Sequence, residues 1–210
     1  MLRSVKSQIV AATSLIILVV LGATTYFVID QKTKELSHDI FSKAVSFAEL
    51  THERIVRNYE SNYVPQAFAN FNREMAEIYG LNPDIEGVSV FNYKGETLYQ
   101  QESEAKTDLS PEDLERVQAV WPSVRIKNSG RVVYLEKDGE GNLRAANFNG
   151  RDVKPVRDAE QIEDLIYPFR DPNNIARSYS VRYEVSYAAL GERIRSTVFN
   201  IGFLALLGIA

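Results

Sequence analysis

Four residues in the middle of the chain are the candidates for ligand chemistry: Trp121, Arg125, Tyr134 and Asn147. A small-molecule site needs an apolar cup with a few fixed polar groups. Trp121 is the single tryptophan, and Pro122 fixes the backbone just after it. The Arg125 guanidinium has the fork geometry to clamp a carboxylate through two parallel hydrogen bonds. Tyr134 and Asn147 fall within apparent strands, and Asn147 alternates with Leu143 and Ala145, where a polar side chain calls for an explanation. Tyr167 and Arg170 form a second tier. The bland alternative is that these residues are core aromatics and surface arginines.

Other chemistries are excluded or weak. The chain has no cysteine, which removes disulfides, thiolate metal sites and a cysteine nucleophile. Its two histidines, His38 and His52, lie 14 residues apart in a helical stretch, roughly 21 Å along the axis. They cannot share a metal within one subunit, and read as solvated or facing a second subunit. No nucleophile elbow, zinc-protease motif or phosphate-binding glycine loop is present. Asp138, Glu140 and Asn142 are spaced like the start of a calcium loop. Leu143 stands where the sharp turn needs glycine, and Asn149 where the closing glutamate belongs. The acidic loop from Glu102 to Asp108 reads as solvated. No catalytic residue, cofactor or metal site is therefore expected.

These candidates depend on the elements that carry them. Apolar residues recur at helical spacing over residues 33–63, with Leu36, Ile40, Ala44, Phe47, Ala48, Ile55 and Tyr59 on one stripe. The stripe fits packing against the chain's own sheet or against a second subunit. A further helix is expected over residues 65–79, with Gly80 as its stop. Strands follow at 85–93 and 96–101, joined by a Lys94-Gly95 turn. Ser110, Pro111 and Asp113 mark the start of a short helix to about residue 120. A second hairpin is expected at 131–137 and 142–148, a short helix at 159–166, and a last strand at 175–186 leading into a helix from about residue 188. The order predicts an α+β domain: about five antiparallel strands, with helices on one face.

Both ends are apolar. Residues 9–29 are 21 consecutive uncharged residues, about 32 Å as a helix, close to the hydrocarbon thickness of a bilayer. Thr13, Ser14, Thr24 and Thr25 interrupt the run, but their hydroxyls can bond back to carbonyls one turn earlier. A signal peptide cleaved near Leu21-Gly22-Ala23 is the alternative, yet the apolar run continues through Ile29. Residues 198–210 are again uncharged and read as the start of a second span, truncated in this sequence; an apolar tail packed on the domain is the other reading. Arg193 and Arg195 precede it, where long side chains can snorkel. Of the 24 basic residues only Arg3 and Lys6 precede Asp30, and all 28 acidic ones lie at or after it. The chain from Asp30 onward is therefore net negative, which argues against broad nucleic-acid binding. The expected layout is a cytoplasmic N-terminus (1–8), a first transmembrane helix (9–29), an extracytoplasmic domain (30–197) and the start of a second transmembrane helix (198–210).

Two stretches carry a resemblance: Gly87-Val-Ser-Val-Phe-Asn-Tyr-Lys-Gly-Glu-Thr-Leu98, and Val185-Ser-Tyr-Ala-Ala-Leu-Gly-Glu-Arg-Ile194 ahead of an apolar segment. Placed after a membrane-anchored helix, they make residues 30–210 resemble the extracytoplasmic PAS-like, or Cache, sensor domains of bacterial membrane receptors. The resemblance implies a periplasmic ligand-sensing input module in the inner membrane, a homodimer with a small-molecule ligand. A sensor histidine kinase is the preferred output, with a chemoreceptor or cyclase as alternatives. That kinase or cyclase module is expected beyond residue 210. The amino-acid-binding pattern of some Cache receptors is not recognisable here. The competing reading is a membrane-anchored structural or assembly protein that binds a protein partner.

Overall fold

The computed structural model describes residues 5–101, 130–137, 143–147, 162–168, 171 and 173–207. The first element is a single helix, α1 (Val5–Asn58), 54 residues long and roughly 80 Å from end to end. It merges the apolar run and the amphipathic stripe, as the absence of glycine or proline over residues 23–64 predicts. Within the apolar run, the Thr13 hydroxyl donates to the Ile9 carbonyl at 2.9 Å and the Thr24 hydroxyl to that of Val20 at 2.8 Å. These two hydroxyls thus carry no unmet polarity. The run's side chains, Leu15 to Leu21 among them, are exposed. Among the described residues this is the one helix long and apolar enough to cross a membrane.

Past residue 36 the helix turns inward. Ile40, Phe41, Ala44, Phe47, Ala48, Ile55 and Tyr59 are all buried. The stripe packs against the chain's own sheet, each large side chain contributing about 1.5–3 kcal/mol of transfer free energy. α1 ends in a π-helical turn, Tyr59–Tyr63. Gln66 follows in the left-handed region at φ 66°. α2 (Phe68–Leu81) then packs Phe71, Met75 and Ile78 inward. The helix begins later than the sequence pattern implies, because the reversal at Gln66 comes first. Gly80 does not stop it. Gly80 stays inside α2, which ends at Asn82, whose backbone N–H donates to the Tyr79 carbonyl.

The strands are β1 (Ile85–Phe91), β2 (Thr97–Gln100), β3 (Val133–Lys137), β4 (Leu143–Asn147), β5 (Ile162–Tyr167) and β6 (Ser180–Ser186). They form one antiparallel sheet in the order β2-β1-β6-β5-β3-β4. The first hairpin closes as expected. Gly95 takes φ 87°, and the Asn92 side-chain oxygen accepts from the backbone N–H groups of Lys94 and Glu96. Among the described residues the sheet has six strands rather than about five. The extra one is β5, where spacing had pointed to a helix at 159–166. Ile162, Leu165 and Ile166 fit either period. The neighbours decided between them: β5 pairs along its whole length with β6 and at its end with β3. The last strand is also shorter than expected, since Ile175–Arg177 form a 3-10 turn that the Asn174 side chain caps. After β6, α3 (Ala188–Leu207) follows and contacts α1, with Leu190 buried at its base.

The helix expected from Ser110, the acidic loop from Glu102 to Asp108, the Asp138 to Asn142 turn, Trp121, Arg125 and Arg170 lie outside the described residues.

Candidate functional site: the polar face of the sheet

β6 reads Ser-Val-Arg-Tyr-Glu-Val-Ser, strict alternation of polar and apolar residues. Alternation sends successive side chains to opposite faces. Val181, Tyr183 and Val185 meet the helices. Ser180, Arg182, Glu184 and Ser186 point the other way. On a surface sheet that second set would be solvated. Here every residue of β6 is buried.

Register shows which residues share the second face. One row crosses all six strands: Gln100 on β2, Ser89 on β1, Arg182 on β6, Ile166 on β5, Val133 on β3 and Asn147 on β4. The neighbouring position pairs Gly87 with Glu184, and Glu184 with Asp164. Ser89, Ser180, Ile166 and Val133 are buried there. The Arg182 guanidinium lies 3.4 Å from the Glu184 carboxyl, and the two residues are only 3% and 1% exposed. Gly87 makes room for them: a Cβ at that position would overlap the Glu184 carboxyl group. Glycine in a strand interior is otherwise unfavourable, and often marks such a close approach.

A buried ion pair on a central strand is poor value for stability, because desolvation offsets most of the attraction. Charged groups held out of water are instead concentrated where a fold recognises something. Arginine and carboxyl groups with two serine hydroxyls stand on one wall, beside the apolar Ile166 and Val133.

The opposite face belongs to α1. The row Val88, Tyr183, Leu165, Tyr134 and Ala146 runs along it. Tyr134 packs edge-on against Phe41 of α1 with centroids 5.7 Å apart. Tyr167 stacks flat on His52 at 3.7 Å. His52 is half-buried by this stacking, with Nδ1 2.9 Å from the Glu49 carbonyl. Tyr183 is fully buried under α1. Burial pushes the Tyr183 hydroxyl up beyond the usual tyrosine range, partly offset by its bond to Thr51. Burial, with smaller contributions led by Tyr99 and Glu184, does the same to Tyr79.

Of the sequence candidates, register places Asn147 in the row of Arg182, whereas Tyr134 lies on the α1 side. Sequence reasoning passed over Arg182, Glu184, Ser89 and Ser180. Their pattern is that of any half-solvated strand. Only Gly87 opposite Glu184 hinted at a close approach.

No known family matches the chain, and no curated protein matches it either. The architecture itself, an antiparallel sheet flanked by helices behind one apolar N-terminal helix, is consistent with a PAS-like sensor fold in general.

Proposed function

We propose that the protein is the extracytoplasmic ligand-sensing input module of a bacterial transmembrane receptor, with a sensor histidine kinase as its output. The observation that carries this reading is the two-sided sheet. One face holds a sealed polar row around Arg182 and Glu184; the other packs on the helix that continues into the apolar N-terminal run. A ligand that prefers one arrangement of the sheet would bias the helix by its differential affinity, about 1–3 kcal/mol for typical coupled sites.

In this reading residues 9–29 cross the inner membrane, residues 30–197 form the periplasmic sensor and residues 198–210 enter a second span. The ligand lies on the polar face, where Asn147 shares the row of Arg182 and where Trp121 and Arg125 remain candidates for lining it; Tyr134, turned toward α1, does not. Two copies associate in the membrane, where shared anchoring raises their effective concentration.

The test is thermal unfolding of the full chain in lipid nanodiscs against a panel of amino acids, organic acids, sugars and nucleosides. The reading expects at least one compound to raise the unfolding temperature, and Ser89→Val or Ser180→Val to weaken that effect. A panel-wide absence of shifts would count against a small-molecule sensor. Persistence of the same shift in both serine variants would remove the polar face from the site.

A further inference from the structure

We propose that the Tyr183 and Thr51 hydroxyls form the latch through which displacement of the polar face reaches α1. The inference rests on the sensor reading above and adds the contact that would carry its signal.

Tyr183 sits between Arg182 and Glu184 on β6, so the backbone that positions the polar pair also positions this ring. Its side chain leaves the opposite face and meets the C-terminal third of α1. The Thr51 hydroxyl donates its one proton to the Phe47 carbonyl at 2.7 Å. It therefore meets Tyr183 as an acceptor. The Tyr183 hydroxyl, 3.2 Å from Thr51 Oγ1 and 3.3 Å from the Ala48 carbonyl, shares its proton between them. The Phe47 ring closes edge-on against the tyrosine, with centroids 5.9 Å apart.

Directionality separates this contact from its neighbours. The pairings of Tyr134 with Phe41 and of Tyr167 with His52 are ring contacts, which tolerate sliding. A hydrogen bond weakens steeply once its angle departs from linear. A hydroxyl shared between two neighbouring acceptors on α1, the Thr51 hydroxyl and the Ala48 carbonyl, thus ties one height of the helix to one residue of β6. Both acceptors are already at the long end of the bonding range. A small movement of β6 would strengthen one and break the other, giving two distinct seats for the helix. Movements of 1–2 Å are typical of helix shifts in switching proteins.

The test needs no ligand, because Gly87 provides the displacement. Gly87→Ala forces the Glu184 carboxyl aside; Glu184→Gln is the gentler variant if the first does not fold. The cysteine-free chain permits spin labels at Ser46→Cys on α1 and Thr97→Cys on β2, both exposed. Distances are measured by pulsed electron resonance on the full chain in phosphatidylcholine nanodiscs. The latch predicts a shift on the order of 1–2 Å. Tyr183→Phe and Thr51→Val abolish that shift, and Thr51→Ser keeps it. A generic packing role would not distinguish serine from valine in this way. An undiminished shift in Tyr183→Phe overturns the latch, as does the absence of any shift in both polar-face variants. Since no small molecule is involved, a failed ligand screen and a failed latch are separate results.

Discussion

Replacing Arg182 or Glu184 alone should be far more damaging than replacing both. At 3.4 Å the pair attracts by about 5 kcal/mol if the effective dielectric is near 20. Removing one partner forfeits that attraction and leaves the other charged group buried, for a net loss of about 3–5 kcal/mol. Domains of this kind are stable by only about 5–15 kcal/mol, so either single variant, Arg182→Met or Glu184→Leu, should approach the unfolding threshold. The double variant removes attraction and desolvation together. It should lie within about 1 kcal/mol of the parent, or above it. The assay is pulse proteolysis in urea on the full chain in nanodiscs, with the four proteins forming a double-mutant cycle. A coupling under about 1 kcal/mol, the range of solvent-exposed pairs, would refute the argument that the second face of the sheet is sealed. A stable double variant that no longer responds to a ligand recognised by the parent would show that the pair is kept for recognition.

Three further outcomes are expected. Gln66 sits at φ 66°, so Gln66→Gly should gain up to about 1 kcal/mol from relief of left-handed strain, less the entropy of glycine; Gln66→Val should lose at least as much, and urea midpoints read both. Tyr79 and Tyr183 keep their protons in the folded state well above the ordinary value of 10.0. Above about pH 10 the unfolded chain therefore binds fewer protons than the folded one. Stability should fall there by up to about 1.4 kcal/mol per pH unit per tyrosine and be flat in this respect below. Tyr183→Phe should remove one tyrosine's share of that alkaline slope, and an unchanged slope would contradict the assignment. Leu18→Lys, in the centre of the exposed apolar run, should disfavour insertion by about 3 kcal/mol, seen as release of the chain from membranes by alkaline carbonate.

The sequence alone determined what rests on local pattern. The 21 uncharged residues, the stripe from Leu36 to Tyr59 and the Lys94-Gly95 turn each follow from one stretch of chain, and each appears where the pattern puts it. They follow because bilayer thickness, helix period and the backbone freedom of glycine act over a few residues at a time. Tertiary structure alone decided the rest. Residues 162–167 have no unambiguous period, and became a strand because β6 and β3 offered hydrogen bonds on both sides. His52 reads on its helix as solvated or facing a second subunit, and that its ring also stacks on Tyr167 follows only from β5 being brought beneath it. The polar half of β6 is the sharpest case. Ser180, Arg182 and Glu184 alternate as they would on a wet surface, since alternation reports only that two faces differ. Whether the second face meets water depends on how the whole chain is arranged around it, and the alternation within β6 contains no record of that.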